Sequence, residues 1–323
     1  MRNFLEEKGT VFCTNSDAEV ILYLLSYYIA TSPNDLENAL INLVASLEGG
    51  FSIIFMIGET LIALRDPNAR KPLSLGKLDE DGIIISSESC AISSVKATLL
   101  RDIEPGEIVI INDFGIKSFL ACGPLKKQIC AFEYVYFARG DSIIDNISVW
   151  EARYRMGKQL ALETRFDADM VVGVPSSGIA AAIGYSAQSG IPYLEGILRS
   201  SYIGRSFILP NQEQRGNTVQ LKLAPVQKIL EGKNIILVDD SLVRGTTMRH
   251  VVSMLKDCGA KKIYLCVSSP PIINICSYGI DMGTPEELIA TQVERENLAN
   301  VLGCDEVYYL SYNGMINAVG HSN

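Results

Sequence analysis

Two adjacent carboxylates, Asp239 and Asp240, stand between an apolar run at 235–238 and a turn rich in glycine and hydroxyl residues. The turn contributes Ser241, Arg244, Gly245, Thr246 and Thr247. Backbone N–H groups at such a turn, with the positive end of a following helix dipole, can hold a phosphate. Carboxylates repel phosphate, so they need another partner, and ribose hydroxyls or Mg²⁺ fit them chemically. The spacing therefore predicts a site for a ribose 5-phosphate with a metal ion nearby; the alternative is an ordinary solvated acidic turn.

The pattern of apolar residues predicts the elements that position this turn. Four apolar residues without polar alternation, 235–238, are typical of a parallel strand that is buried on both faces. After the turn, apolar residues recur at helical spacing, at Met248, Val251, Val252 and Leu255. Ligands of open α/β sheets bind at the carboxyl ends of the strands. We therefore expect the acidic pair at a ligand-binding edge, in front of a helix N-terminus.

Composition narrows the class of protein. The chain has 323 residues, of which 48% are hydrophobic and 20% charged, so it has room for two globular domains. A net charge of −9 and a pI of about 4.9 argue against binding to nucleic acid or to a membrane surface. Eight cysteines without a CxxC pair, and a charged start without a signal-peptide pattern, favour a reducing compartment. We expect a cytoplasmic protein.

The pattern of predicted secondary structure changes between residues 125 and 126, which predicts two domains, 1–125 and 126–323. In 1–125, Ser16 or Asp17 is expected to cap a first helix, and 36–47 forms a second. Short runs bounded by turn residues then predict an antiparallel sheet, at 51–57, 60–65, 82–87 and 107–112.

In 126–323, predicted helices alternate with buried strands. Helices are expected at 149–163 and 178–189, and strands at 170–174 and 261–267. The Arg and Lys residues of the helix 149–163 are expected to face outward. This alternation predicts a parallel sheet covered by helices on both sides.

Several segments, in the same order, resemble the amidophosphoribosyltransferase family, the glutamine-dependent enzymes of de novo purine synthesis. They are ICAFEYVYFARGDSIIDNISVWEAR (129–153), VPSSGIAAAIGYSAQSGIPY (174–193), YIGRSFILPNQEQR (202–215), the acidic-pair stretch (233–255) and SSPPIINICSYGIDM (268–282). TNSDAEV (14–20), LRDPNARKPLSLG (64–76) and SSESCAI (86–92) resemble the later part of the family's first domain. The implied fold class is α/β with α+β: incomplete layers of a class II (N-terminal nucleophile type) glutamine amidotransferase, followed by a type I phosphoribosyltransferase parallel sheet domain.

The resemblance implies an activity and assigns roles. The family replaces the pyrophosphate of phosphoribosyl pyrophosphate (PRPP) with ammonia, which gives 5-phosphoribosylamine. Asp239 and Asp240 would be catalytic and would hold the ribose hydroxyls and Mg²⁺, while the turn that follows them would hold the 5-phosphate.

Two further segments would contact PRPP by the same resemblance. Ser176, Ser177 and Gly178 would meet the pyrophosphate, and Ser177 would help to place Mg²⁺ unless it is a plain helix cap. The family usually has an acidic residue where Ser176 stands. Arg205 and Arg215 would belong to a lid over the substrate, against the alternative of a solvated loop.

The first domain matches the family less completely. Class II amidotransferases use an N-terminal cysteine whose α-amine acts as base, whereas this sequence begins with Met1. We therefore expect no glutamine hydrolysis. Asp17 corresponds to a family residue that holds the amine of glutamine, and Cys13 is expected to be a small buried residue.

Cys130 and Cys276 stand where some family members hold two of four cysteine ligands of a [4Fe–4S] cluster. Four thiolates are the usual requirement. We therefore expect no cluster in this chain, against the alternative that the sequence is a fragment.

The leading hypothesis is an amidophosphoribosyltransferase of purine (IMP) biosynthesis that uses ammonia. Its expected partners are PRPP, ammonia or glutamine, purine nucleotides as inhibitors, and further copies of the same chain, with no nucleic-acid or membrane partner. The alternatives are a non-catalytic PRPP-binding regulatory protein and an inactive gene fragment.

Overall fold

The computed structural model describes residues 1–79, 82–123, 126–199, 223–280 and 284–320. The chain forms two compact units. Unit 1 consists of Met1–Cys130 with Ser277–Gly279, and unit 2 of Ala131–Cys276 with Ile280–Asn323. The predicted boundary between residues 125 and 126 stays a prediction, since residues 124 and 125 lie outside the described residues.

Unit 1 begins with three helices, α1 (Arg2–Glu7), α2 (Asp17–Thr31) and α3 (Leu36–Ser46). The hydroxyl of Ser16 accepts a hydrogen bond from the N–H of Ala18, so Ser16 is the cap of α2. The helices cover one face of an antiparallel sheet through a core that includes Leu24, Leu40 and Ile62. A further short helix, α4, spans Ser89–Ser94.

The described strands of unit 1 form two antiparallel sheets. One sheet has the order β1-β2-β6-β7, with β1 at Ser52–Ile57, β2 at Thr60–Arg65, β6 at Glu107–Asn112 and β7 at Gly115–Leu120. The other has the order β4-β3-β5, with β3 at Ser74–Leu78, β4 at Gly82–Ser86 and β5 at Thr98–Asp102. The four predicted strands are confirmed, whereas β3, β5 and β7 were not predicted.

Unit 2 contains a parallel sheet with the order β10-β13-β14-β15. The strands are β10 (Met170–Gly173), β13 (Asn234–Asp239), β14 (Lys262–Val267) and β15 (Glu306–Tyr309). Shorter strands are β8 (Ile143–Ile144) paired with β9 (Ile147–Ser148), and β11 (Ile197–Arg199) paired with β12 (Leu223–Pro225). The predicted parallel sheet is confirmed.

Helices cover both faces of this sheet. They are α5 (Val149–Glu163), α6 (Gly178–Ser189), α7 (Gln227–Leu230), α8 (Thr246–Asp257), α9 (Ile289–Gln292), α10 (Arg295–Leu302) and α11 (Tyr312–Val319). In β13, Ile235 and Leu237 pack in the core with Val251 of α8, and Ile236 and Val238 are equally buried. β13 is therefore covered on both faces, as the apolar run predicts. Among the described helices, none combines the length and the hydropathy that crossing a membrane requires.

Two expectations from the sequence were wrong. Cys13 is exposed rather than buried, because it lies in the connection before α2, where its backbone N–H donates to the Glu19 carboxylate at 2.8 Å. Arg153 does not face outward from α5: it is 7% exposed. It follows Ala152 and precedes Met156, two other buried positions of the same helix face.

Candidate functional site

The carboxyl ends of the parallel strands of unit 2 open into a cavity of about 1090 Å³. The turn after β10 leads into α6, and the turn after β13 leads into α8. Most of the predicted site residues line this cavity: Ser176, Ser177, Asp239, Asp240, Ser241, Arg244, Gly245, Thr246 and Thr247. Parallel strands bring their carboxyl ends to one edge, so residues separated by about sixty positions in sequence share one site.

The acidic pair is held asymmetrically. Asp240 is 5% exposed, and its carboxylate accepts a hydrogen bond from the hydroxyl of Ser241 at 2.5 Å. Asp239 is partly buried and accepts the backbone N–H of Asp240 at 2.9 Å. Ser177 precedes α6, but its side chain makes no capping hydrogen bond. The hydroxyl of Ser177 instead lowers the pKa of Asp240.

The electrostatics of the pair favour a positively charged or hydrogen-bond-donating ligand. Burial raises the pKa of Asp239 well above its usual range, and the neighbouring charge of Asp240 raises it further. Burial also raises the pKa of Asp240, although the Ser177 and Ser241 hydroxyls oppose that shift. Two ionised carboxylates in this position are therefore strained by desolvation and mutual repulsion, which a cation or hydroxyl donors would relieve.

Arg153 is a site residue that the sequence reasoning missed. Its side chain lines the cavity, and its guanidinium donates from Nε to the Tyr134 carbonyl and from Nη2 to the Ala138 carbonyl, both at 2.7 Å. Its positive charge lowers the pKa of Asp240 in part. The signal in the sequence was its position on the buried face of α5, within the helical repeat of apolar residues.

The turn after β13 is shaped as a phosphate cradle. Gly245 adopts the left-handed conformation, with φ of 74°, directly before the first residue of α8. The left-handed backbone favours glycine there, and a Cβ at Gly245 would lie 2.5 Å from Cδ1 of Ile289, whose side chain would have to shift. The first N–H groups of α8 have no acceptor within their own helix. Together with the Thr246 and Thr247 hydroxyls, they give the turn the donors that an anion needs.

Gly178 contributes through packing. A Cβ at this position would lie 2.6 Å from the Val238 carbonyl oxygen and 3.1 Å from Cα of Asp239. The start of α6 therefore rests directly on the end of β13. This contact fixes the distance between the two turns that form the site.

Arg199, the last residue of β11, is a second cation that sequence reasoning did not place in the site. Its Nη1 donates to the Ser176 hydroxyl at 3.1 Å, and both residues line the cavity. Arg244 also lines the cavity, but its guanidinium is paired with Glu287, with Nε donating to Oε2 at 2.6 Å.

An aromatic wall, defined as Phe132, Tyr136, Phe137 and Trp150, completes the cavity. Trp150 is 45% exposed and stacks on Tyr154, with ring centroids 5.4 Å apart. It is also the single tryptophan of the sequence. Its fluorescence can therefore report on this cavity alone.

Five other residues were predicted to have roles in binding. Arg205 and Arg215 lie outside the described residues. Cys130 belongs to unit 1 and Cys276 to unit 2, and each is partly buried. Asp17 is exposed at the start of α2. The roles predicted for Arg205, Arg215, Cys130, Cys276 and Asp17 therefore stay predictions. Within the described ranges, no three His, Cys, Asp or Glu side chains are grouped for a metal ion.

Comparison with known protein families yields two matches. Residues 144–270 match the family described as phosphoribosyl transferase domain. Residues 1–94 match the family described as glutamine amidotransferase domain. These matches confirm both predicted fold types.

Similar proteins cover almost the whole chain. An amidophosphoribosyltransferase of Archaeoglobus fulgidus is 46% identical over 99% of this chain and 69% of its own length. The corresponding protein of Methanocaldococcus jannaschii is 44% identical over 100% of this chain and 71% of its own. Among solved structures, the glutamine PRPP amidotransferase of Bacillus subtilis, complexed with ADP and GMP, is 42% identical with a TM-score of 0.91. The match covers 100% of this chain and 70% of that one.

Proposed function

The chain belongs to the amidophosphoribosyltransferase family, and from this premise we propose that it forms 5-phosphoribosylamine from PRPP and ammonia. The observation that carries the proposal is the shared cavity of unit 2, in which the pair Asp239 and Asp240 lies beside the phosphate cradle before α8. Each half of this arrangement suits one part of a phosphorylated ribose.

PRPP has three parts that the cavity can receive. The 5-phosphate accepts hydrogen bonds from the N–H groups at the start of α8 and from the Thr246 and Thr247 hydroxyls. The ribose hydroxyls donate to the carboxylates of the acidic pair. The pyrophosphate lies by the turn that contains Ser176 and Ser177, where Arg199 supplies positive charge.

The reaction exchanges one bond at the anomeric carbon. The bond from that carbon to the pyrophosphate oxygen breaks, and pyrophosphate leaves with the electron pair. Ammonia supplies the electron pair for the new C–N bond, and one proton is then lost from nitrogen. Positive charge develops at the anomeric carbon, so carboxylates preorganised near it stabilise the transition state. The charge of Asp239 and Asp240 thus acts directly on the sugar.

The donor set fits Mg²⁺. This ion is usually bound through one or two carboxylates together with substrate phosphates and water. The acidic pair offers two carboxylates whose raised pKa values show that no nearby positive charge fully compensates them. Asp239, Asp240 and the hydroxyl of Ser177 would hold the ion, which supplies neutralisation of the pyrophosphate. For a [4Fe–4S] cluster, Cys130 and Cys276 would supply two of the usual four thiolates.

The proposal also covers the location, the assembly and the inhibition of the enzyme. We place it in the cytoplasm, because its eight scattered cysteines suit a reducing compartment. We also propose that it assembles with copies of itself and that purine nucleotides inhibit it. The latter is supported by the similar Bacillus subtilis protein, whose structure contains ADP and GMP.

Pyrophosphate release from PRPP, measured with Mg²⁺ and with ammonium chloride as nitrogen donor, tests the proposal. The expected result is release that depends on ammonium and falls at least about 10²-fold in Asp239→Asn, since preorganised charge commonly contributes that much. Quenching or enhancement of Trp150 fluorescence by PRPP is measured in parallel. Binding without ammonium-dependent release would favour the non-catalytic regulatory alternative.

A further inference from the structure

Glu287, which was not among the predicted site residues, holds the guanidinium of Arg244. We propose that Arg244 and Glu287 form a tie that positions the phosphate cradle, and that Arg244 acts through this tie rather than by contacting phosphate. The inference rests on the proposed function, because the cradle is taken to hold the 5-phosphate of PRPP.

Three contacts join the cradle to the polypeptide around Glu287. Arg244 donates from Nε to Oε2 of Glu287 at 2.6 Å, and its Nη2 contacts the same oxygen. The N–H of Ile289 donates to the Val243 carbonyl at 2.9 Å. The Ile289 side chain packs directly on Gly245. The ion pair is therefore one of three attachments that act on three consecutive residues of one turn.

The partner side of the tie is itself anchored. Leu288 is fully buried and Ile289 is 4% exposed, and both follow Glu287 directly. The hydroxyl of Thr291 donates to the carbonyls of Leu288, at 2.8 Å, and Pro285, at 3.0 Å. Because this anchor is fixed in the core, an ion pair to Glu287 restricts the backbone of the cradle as well as the Arg244 side chain.

The geometry of the pair leaves Arg244 poorly placed as a phosphate ligand. Its contacts to Glu287 use Nε and Nη2, the edge that usually makes paired contacts to phosphate. A phosphate on this edge would have to displace a carboxylate, which would also repel it. The start of α8 and the hydroxyls of Thr246 and Thr247 already supply donors. Phosphate binding and loop positioning are thus divided between different residues.

The expected size of the effect follows from exposure. The side chains of Arg244 and Glu287 are 56% and 43% exposed. Exposed ion pairs change an equilibrium by about 1.4- to 5-fold. Loss of the tie should therefore raise the KM for PRPP by about that factor. The turnover number should be unchanged, because neither side chain touches the reacting bond.

A double-mutant cycle tests the tie. Arg244→Gln, Glu287→Gln and the double variant are compared for KM of PRPP, kcat with ammonium, and melting temperature. We expect each single variant to raise KM by a similar factor, within about 1.4- to 5-fold, and the double variant to raise it no further. Lys233→Gln is the matched control. Its ion pair with Asp169 has similar exposure, 48% and 43%, but lies at the amino end of β13.

Other outcomes overturn the inference. If Arg244 contacts phosphate directly, Arg244→Gln raises KM more than about tenfold, the effect of losing a charge-assisted hydrogen bond, and Glu287→Gln lowers it. If the pair serves only stability, both variants lower the melting temperature and leave KM unchanged. Failure of the wild-type protein to bind PRPP would refute the proposed function instead, so the two failures are distinguishable.

Discussion

Replacing Gly178 with alanine should disable the site through the backbone of β13. The added Cβ would lie 2.6 Å from the Val238 carbonyl oxygen and 3.1 Å from Cα of Asp239. Both atoms belong to the main chain of a strand in the middle of the sheet, so neither can rotate away as a side chain would. Either α6 or the end of β13 must therefore move.

This contact indicates how much stability the substitution should cost. Overpacking of a well-packed region costs about 1–3 kcal/mol, which corresponds to a fall in melting temperature of roughly 2–12 °C for a unit of this size. The carboxylates of Asp239 and Asp240 move with the end of the strand. A displacement of about 1 Å at a reacting centre can reduce the rate about 10²-fold. Activity should therefore fall much more than stability.

The assay combines thermal unfolding with ammonium-dependent pyrophosphate release. Gly123→Ala is the control for a general glycine effect, because a Cβ there meets nothing within 4 Å and Gly123 has no left-handed φ. The control should keep both activity and melting temperature. Wild-type behaviour of Gly178→Ala in both measurements would refute the contact between α6 and β13 as the device that positions the acidic pair.

Three further predictions concern the charges of the site. Asp239→Asn and Asp240→Asn should each lower kcat at least about 10²-fold. Each should also raise the melting temperature of the ligand-free protein, because it removes one of two neighbouring like charges. Unchanged kcat in both variants would remove the carboxylates from the mechanism. In metal-free buffer, the folded protein binds more protons than the unfolded chain above about pH 4, the usual aspartate pKa, because both folded pKa values are raised. The free energy of unfolding should then fall as pH rises from about 4 through the raised pKa values. Urea titrations at several pH values should show a weaker fall in Asp239→Asn than in the wild type. An equal fall would contradict the assignment of this pH dependence to Asp239. Arg153→Met should destabilise unit 2 by about 2 kcal/mol or more, since it leaves two carbonyl acceptors without their donor, and a urea midpoint equal to that of the wild type would contradict this.

The parts of the site that lie close together in sequence were predictable. The run 235–238 with its following turn contains its own strand, acidic pair, glycine and helix start, and the structure places them as local rules require. The helix 178–189 agrees with α6 for the same reason. A pattern that determines its own backbone needs no information from the rest of the chain.

The parts that depend on distant contacts were not predictable in this way. Glu287 approaches Arg244 from 43 residues away, and Arg199 approaches Ser176 from 23 residues away. The sequence predicted that Arg153 faces outward, whereas its guanidinium donates to the buried carbonyls of Tyr134 and Ala138. Residue type alone does not reveal a buried charge, because its partners come from elements that only folding brings together.

The strands missed in unit 1 have a similar explanation. β7, GIKSFL, is mostly exposed, and β3, SLGKL, contains a glycine and a register shift between Leu75 and Gly76. Neither shows clean alternation of apolar and polar residues, so their pairing with neighbouring strands, rather than their own pattern, determines their conformation.

Calorimetric titration of the protein with PRPP in the presence of Mg²⁺ is the most direct measurement of the central claim, which is that the acidic pair and the adjoining cradle receive a phosphorylated ribose. The account predicts saturable binding at one site per chain, with a change in Trp150 fluorescence at the same concentrations, and strongly weakened binding when Asp239 and Asp240 are both replaced by asparagine. Absence of binding by the wild-type protein, or equal binding by the double variant, would contradict it.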